Sequence, residues 1–148
     1  MQLEKAQVAF PVIGITKKAL WFAKEREQLT TTTSVGLKKG KYKEMKIYDS
    51  QGVIWRIDEA SFLSGVGIFG GYNILGGRKI RVSLSVTVEN DGGSALDILK
   101  DVIKKRIKGG PIHDSTDNGK ELCERIETFQ KTSELIQYFG EYWTGKSN

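Results

Sequence analysis

Hydrophobic and polar positions alternate most cleanly between Ile80 and Val88, where Ile80, Val82, Leu84, Val86 and Val88 are separated by Arg81, Ser83, Ser85 and Thr87. A period of two assigns one set to each face of a strand, so this segment is expected to bury one face and wet the other. At about 1.5–3 kcal/mol for each fully buried aliphatic side chain, the apolar face would supply on the order of 10 kcal/mol before chain entropy is subtracted. That marks the segment as the expected centre of a sheet.

The same alternation recurs upstream. Met45 and Ile47, then Val53, Trp55 and Ile57, flank Asp49-Ser50-Gln51-Gly52. Aspartate in the first position of a turn bonds the following backbone and glycine in the fourth relieves the exit, so a hairpin is predicted with these five apolar residues on one face. A one-residue slip would turn all of them to water. Leu29, Thr31, Thr33, Val35 and Leu37 alternate with Thr30, Thr32 and Ser34, which reads as a further strand. Val8–Ile15 reads as a strand placed at an edge or bulge by Pro11, which has no N–H for a ladder. Leu20–Ala23 is a short apolar run, and Lys24–Gln28 an exposed turn.

Beyond Val88 the period changes. Asn90–Gly93 breaks the strand, Ser94 stands three residues before Asp97 as a cap, and Leu96, Leu99, Val102, Ile103 and Ile107 recur at helical spacing until Gly109-Gly110-Pro111. A helix over about 94–108 is predicted. A second helical region, about 117–143, has Leu122, Ile126 and Phe129 on its buried side. Thr132-Ser133 re-caps it before Leu135, Ile136, Phe139, Tyr142 and Trp143, and the tail from Thr144 is expected to fray. With strands first and helices last, the fold class is α+β. A mainly antiparallel sheet of about five to seven strands within residues 8–89 packs against C-terminal helices.

At 148 residues, with 39% hydrophobic and 28% charged positions, one domain spanning 1–148 with a single core is expected. The one cysteine, Cys123, falls beside Leu122 and Ile126 and reads as core filler. No segment resembles a membrane span or a leader peptide, so the expected location is cytoplasmic, with no membrane partner. The net charge of +5 favours acidic partners without choosing among them. Catalysis is disfavoured by inventory. His113 and Cys123 are each the sole residue of their type, and no GxSxG elbow, HExxH pair or paired-carboxylate pattern is present. No enzyme activity, metal or cofactor is expected.

Two segments stand out as candidate sites. The run from Gly65 to Gly77 holds six glycines in thirteen positions, with Phe69 and Tyr72 among them. Its GxGxxG string matches dinucleotide and kinase glycine loops in spacing only, because Gly71, Gly76 and Gly77 speak against the helix that the dinucleotide site requires and no kinase HRD or DFG is present. It serves either as a glycine-rich connection or as a partner-binding loop. Lys38-Lys39-Gly40-Lys41-Tyr42-Lys43 with Lys46 places five lysines in nine positions, a pattern that either protects strand edges or tracks phosphates. Lys100, Lys104 and Lys108 are expected to form an exposed helix stripe, largely cancelled by Asp97 and Asp101.

These features favour a non-enzymatic protein-binding module, comparable in size and architecture to an immunity-type or inhibitory partner of another protein. Its contacts would be Phe69, Tyr72, Asn73 and Arg78 around Gly65, Gly67, Gly70 and Gly71. The alternative is nucleic-acid binding through Lys38, Lys39, Lys41, Tyr42, Lys43 and Lys46, with tyrosine stacking on a base. A second alternative is a small anionic ligand at residues 65–77. Exposed strand edges also leave room for a homodimer.

Overall fold

The structure is a computed structural model and describes residues 1–66, 77–90, 95–108 and 117–147. In chain order the elements are β1 (Val12–Ile15), β2 (Leu20–Ala23), α1 (Arg26–Thr30), β3 (Thr31–Thr33), α2 (Ser34–Lys38), β4 (Lys46–Tyr48), β5 (Ile54–Gly65), β6 (Lys79–Val88), α3 (Ala95–Lys108), α4 (Asp117–Glu127) and α5 (Thr132–Ser147). The strands form one six-stranded sheet in the order β2-β1-β4-β5-β6-β3. Every pairing is antiparallel, and the chain is α+β.

The β4–β5 hairpin has the expected register. Ile47 pairs with Trp55, and Met45, Ile47, Trp55 and Ile57 are buried on one face with Val53 packed beside them. Its turn is organised by one fully buried carboxylate. Asp49 Oδ1 accepts from the backbone N–H of Gln51 and Val53, both at 2.9 Å, while Oδ2 accepts from Ala9 N at 3.2 Å and Trp55 Nε1 at 3.0 Å. Gly52, at φ +82°, takes the left-handed conformation that lets the chain leave the turn.

β6 alternates as expected from Ile80 to Val86, but it is not central. β3 pairs with Lys79–Arg81 along its outer edge, and farther along Leu3 N donates to Leu84 O and Val86 N to Met1 O. Val88 lies past the last of these contacts and is 53% exposed, against the expected burial.

Instead of a single core there are two clusters, on opposite faces of the sheet. One contains Leu3, Val12, Met45, Ile47, Trp55 and the buried face of β6, closed by Leu29 and Tyr42. The other joins Ile13, Ile15, Leu20, Tyr48 and Ile54 to Leu99, Ile103, Ile126, Leu135, Ile136 and Phe139 of the C-terminal helices. Neighbouring residues of β1 therefore face different cores, which is why all four are buried. Among the described residues the C-terminal helices cover β1, β2 and β4, and none of their residues belongs to the cluster beneath β6.

Several expectations are corrected. The alternation from Leu29 to Leu37 is strand only at Thr31–Thr33, because Leu29 belongs to α1 and Val35 and Leu37 to α2. The charged stretch before it is helical as well. Gln28 Oε1 accepts from Glu25 N in a reciprocal capping box that starts α1, and Thr33 Oγ1 accepts from Gly36 N at 3.0 Å to start α2. β1 begins after Pro11 and lies between β2 and β4, so the proline sits outside the ladder and the strand is internal. Lys100 and Lys104 are not part of a free stripe. Lys100 is buried, its Nζ donating to Glu127 O at 3.1 Å, and Lys104 pairs with the Glu127 carboxylate, so both cations complement the C-terminal end of α4. α5 continues to Ser147, past the expected fraying point. The caps expected at 91–94 and 109–116 lie outside the described residues.

Candidate functional site

Beyond Ile57 the character of β5 changes. β4 reaches Arg56 and Ile57 N donates to Met45 O at 3.0 Å, after which no described strand pairs with the outer side of β5. From Asp58 to Gly65 the strand is held by β6 alone, with bulges between Ile57 and Glu59 and between Phe62 and Ser64. From Ser61 to Ser64 every residue of this arm is exposed, on both faces, while Ala60 still packs against the core. Phe62 is 61% and Leu63 58% exposed, the two large apolar side chains of a stretch, Ala60–Gly65, that carries no charge and no proline.

Exposed edges are ordinarily protected by short length, lysine or proline. The other two edges follow that rule. β3 has three residues, and β2 has four and is flanked by Lys18 and Lys24. The base of the arm borders a cavity of about 610 Å³ between Leu37–Glu44 and Arg56–Ala60. Asp58 is bonded by Arg56 Nε at 2.9 Å and by the Thr87 hydroxyl, and these two hydrogen bonds hold its carboxyl below the usual range.

Of the contact residues expected from the sequence, Phe69, Tyr72 and Asn73, with Gly67, Gly70 and Gly71, lie outside the described residues. Gly65 and Arg78 are described and meet. A Cβ on Gly65 would come within 2.3 Å of Arg78 Nη2, so the absence of a side chain lets the guanidinium lie across the strand. Ser34 fixes Arg78 from the other side, its N–H donating to Arg78 O at 2.8 Å and its hydroxyl accepting from Arg78 N at 3.0 Å. Phe62 and Leu63 were missed because no period-two pattern exists where both faces of a strand are wet.

The lysine cluster is partly assembled and partly dispersed. α2 ends in a Schellman turn, with Gly40 at φ +78°, Gly40 N donating to Leu37 O at 3.1 Å and Lys41 N to Gly36 O at 3.0 Å. That turn directs Lys39, Lys41 and Lys43 to the wall of a second cavity, of about 710 Å³. The opposite wall is the β1–β2 hairpin with Lys17, Lys18 and Trp21, whose turn is held by Thr16 Oγ1 accepting from Ala19 N at 3.0 Å. Lys46 lies elsewhere, paired with Glu89 at 3.3 Å, and Lys38 does not line the cavity.

Tyr42 departs from its expected role. Its ring is buried and its hydroxyl donates to Leu29 O at 2.7 Å, so it packs the core and is not available to stack on a base. Burial raises its pKa strongly from the ordinary 10.0. A phenol that ionises later in the folded than in the unfolded chain contributes stability that is complete below the unfolded value and declines as pH rises beyond it. Stability is therefore expected to fall from about pH 10 upward, and Tyr42→Phe to flatten that decline while costing about 1 kcal/mol at neutral pH for the lost hydrogen bond. Urea unfolding at pH 7 and across the alkaline range measures both; an unchanged alkaline slope in the variant would refute the assignment.

Among the described residues no group of His, Cys, Asp and Glu is arranged to hold a metal ion, and no helix is long and apolar enough to cross a membrane. No family model, curated protein or solved structure matches the chain.

Proposed function

We propose that the protein is a binding module for another protein, which it engages by accepting an extended segment along the outer edge of β5. The observation that carries this reading is the uncharged, unpaired edge at Ala60–Gly65 bearing the exposed Phe62 and Leu63. Added strands gain affinity from main-chain hydrogen bonds and specificity from alternate side chains, and an aromatic with a neighbouring aliphatic supplies anchors of the kind that dominate interface energy. Arg78, exposed at the same end of the hairpin, adds a donor fork that accepts a carboxylate or a backbone carbonyl. An inhibitory or neutralising role toward its partner fits such a module.

The test is affinity capture from the native lysate after nuclease treatment and at about 1 M salt, where screening falls to ~3 Å. A defined protein is expected to survive both and to be lost with Phe62→Asp or Leu63→Asp. Because both side chains are exposed, these variants are expected to keep their melting temperature within about 2 °C of wild type. A partner retained equally by both would rule out the arm as the contact.

A further inference from the structure

The second cavity is separate from the arm and combines features that suit a different ligand. Five lysines, Lys17, Lys18, Lys39, Lys41 and Lys43, converge on it against a single carboxylate, Glu44, which lies 3.5 Å from Lys17. Lys41 is the informative one. It is half-buried, its ammonium stands 4.4 Å from the centroid of the Trp21 ring, and it has no ion pair among the described residues. This ring and that of Tyr42, whose centroid is 5.4 Å away, attract the cation by cation–π interaction and leave its donors without an anion. Burial lowers the Lys41 pKa, the mark of a desolvated charge that an incoming anion would restore.

Size and layout separate the candidate ligands. About 710 Å³ lies within the range of small-molecule sites. A nucleic-acid strand needs cations spaced along a track, yet Lys46 is engaged with Glu89 and Lys38 stands off the cavity, so the remaining lysines share the lining of one cavity. Trp21, 39% exposed, offers an apolar border in that lining.

We infer that this cavity binds a small phosphate ester, its phosphate groups among Lys39, Lys41, Lys43, Lys17 and Lys18 and its organic part against the exposed edge of Trp21. Nucleotides combine both portions. ATP and inorganic pyrophosphate serve as probes with the full chain, in calorimetric titration at physiological salt, with a single-stranded thymidine oligonucleotide in parallel. ATP is expected to bind, and pyrophosphate more weakly. Lys39→Gln and Lys41→Gln are each expected to weaken both probes about tenfold, the loss of one charge-assisted contact. Trp21→Ala should weaken ATP more than pyrophosphate, because it removes the apolar border as well as the ring beside Lys41. Lys39 is exposed, so its variant keeps the test valid should Lys41→Gln disturb packing. Failure of both probes to bind at millimolar concentration, wild-type affinity in both lysine variants, or binding of the oligonucleotide alone would overturn the assignment, the last in favour of a nucleic-acid surface.

Discussion

Asp49→Ala is expected to lower stability by about 3–5 kcal/mol, against the total of roughly 5–15 kcal/mol usual for a domain. The side chain accepts four hydrogen bonds, from the turn backbone, from Ala9 and from the Trp55 indole, and none of its surface reaches solvent. Removing it strands the buried indole N–H and the Val53 N–H at ~1–3 kcal/mol each, and releases the segment before β1 from the hairpin. Asp49→Asn tests the chemistry more narrowly. An amide oxygen still serves Gln51 and Val53, but its NH2 then faces the Ala9 and Trp55 donors, so this nearly isosteric change is expected to cost a similar amount. Urea unfolding gives the values. Trp55→Phe removes one stranded donor, so it should cost less in the Asp49→Ala background than in wild type. A loss under about 1 kcal/mol in Asp49→Ala would show that water replaces the carboxylate and that the hub does not hold the turn.

The second large effect is steric. Gly140 in α5 rests on the edge of Phe22 in β2, and a Cβ built there would lie 2.1 Å from Phe22 Cε2 and 2.2 Å from Cδ2. An aromatic ring held between a helix and a strand has little freedom to retreat, so Gly140→Leu is expected to cost about 3 kcal/mol as α5 is pushed off the sheet. Gly140→Ala should cost less, because it adds the Cβ alone, and the gain of about 1 kcal/mol in helix propensity offsets part of that overlap. Phe22→Ala makes room for the larger residue. The double variant is therefore expected to be more stable than the sum of the two single changes predicts, by about 1–3 kcal/mol, measured as a thermal or denaturant double-mutant cycle. Strict additivity would mean that the helix and strand do not share this contact.

What the sequence revealed and what it concealed follow from how many faces of each element are buried. β6 buries one face along most of its length, and in the β4–β5 hairpin Met45, Ile47, Val53, Trp55 and Ile57 share one face, so both alternations are plain to read although Tyr48 and Ile54 join the opposite core. α3 is equally legible from Leu99, Ile103 and Ile107. β1 is buried on both faces and shows no alternation, and the far half of β5 is wet on both, so its length was invisible. α1 and α2 have five residues each, too few for a 3.6-residue period to emerge from a threonine-rich stretch whose alternation is coincidental. Their caps, Glu25 with Gln28 and Thr33 with Gly36, were the available signals. At the basic cavity, Lys39, Lys41 and Lys43 were legible because they lie close together in the chain. Lys17, Lys18 and Trp21 join them only through the β1–β2 hairpin, a proximity no local pattern encodes.

The placement of the two cores also orders events during synthesis. Among the described residues the cluster beneath β6 is built from positions up to Val86, whereas the opposite face, with Ile13, Ile15, Leu20, Tyr48 and Ile54, waits for helices whose last buried contribution is Phe139. At ribosomal rates of roughly 5–20 residues per second, a sheet complete on one side carries an oily, unroofed side for about 3–10 s. A chain truncated after Val88 should therefore bind holding chaperones and hydrophobic dyes far more strongly than the full-length protein does.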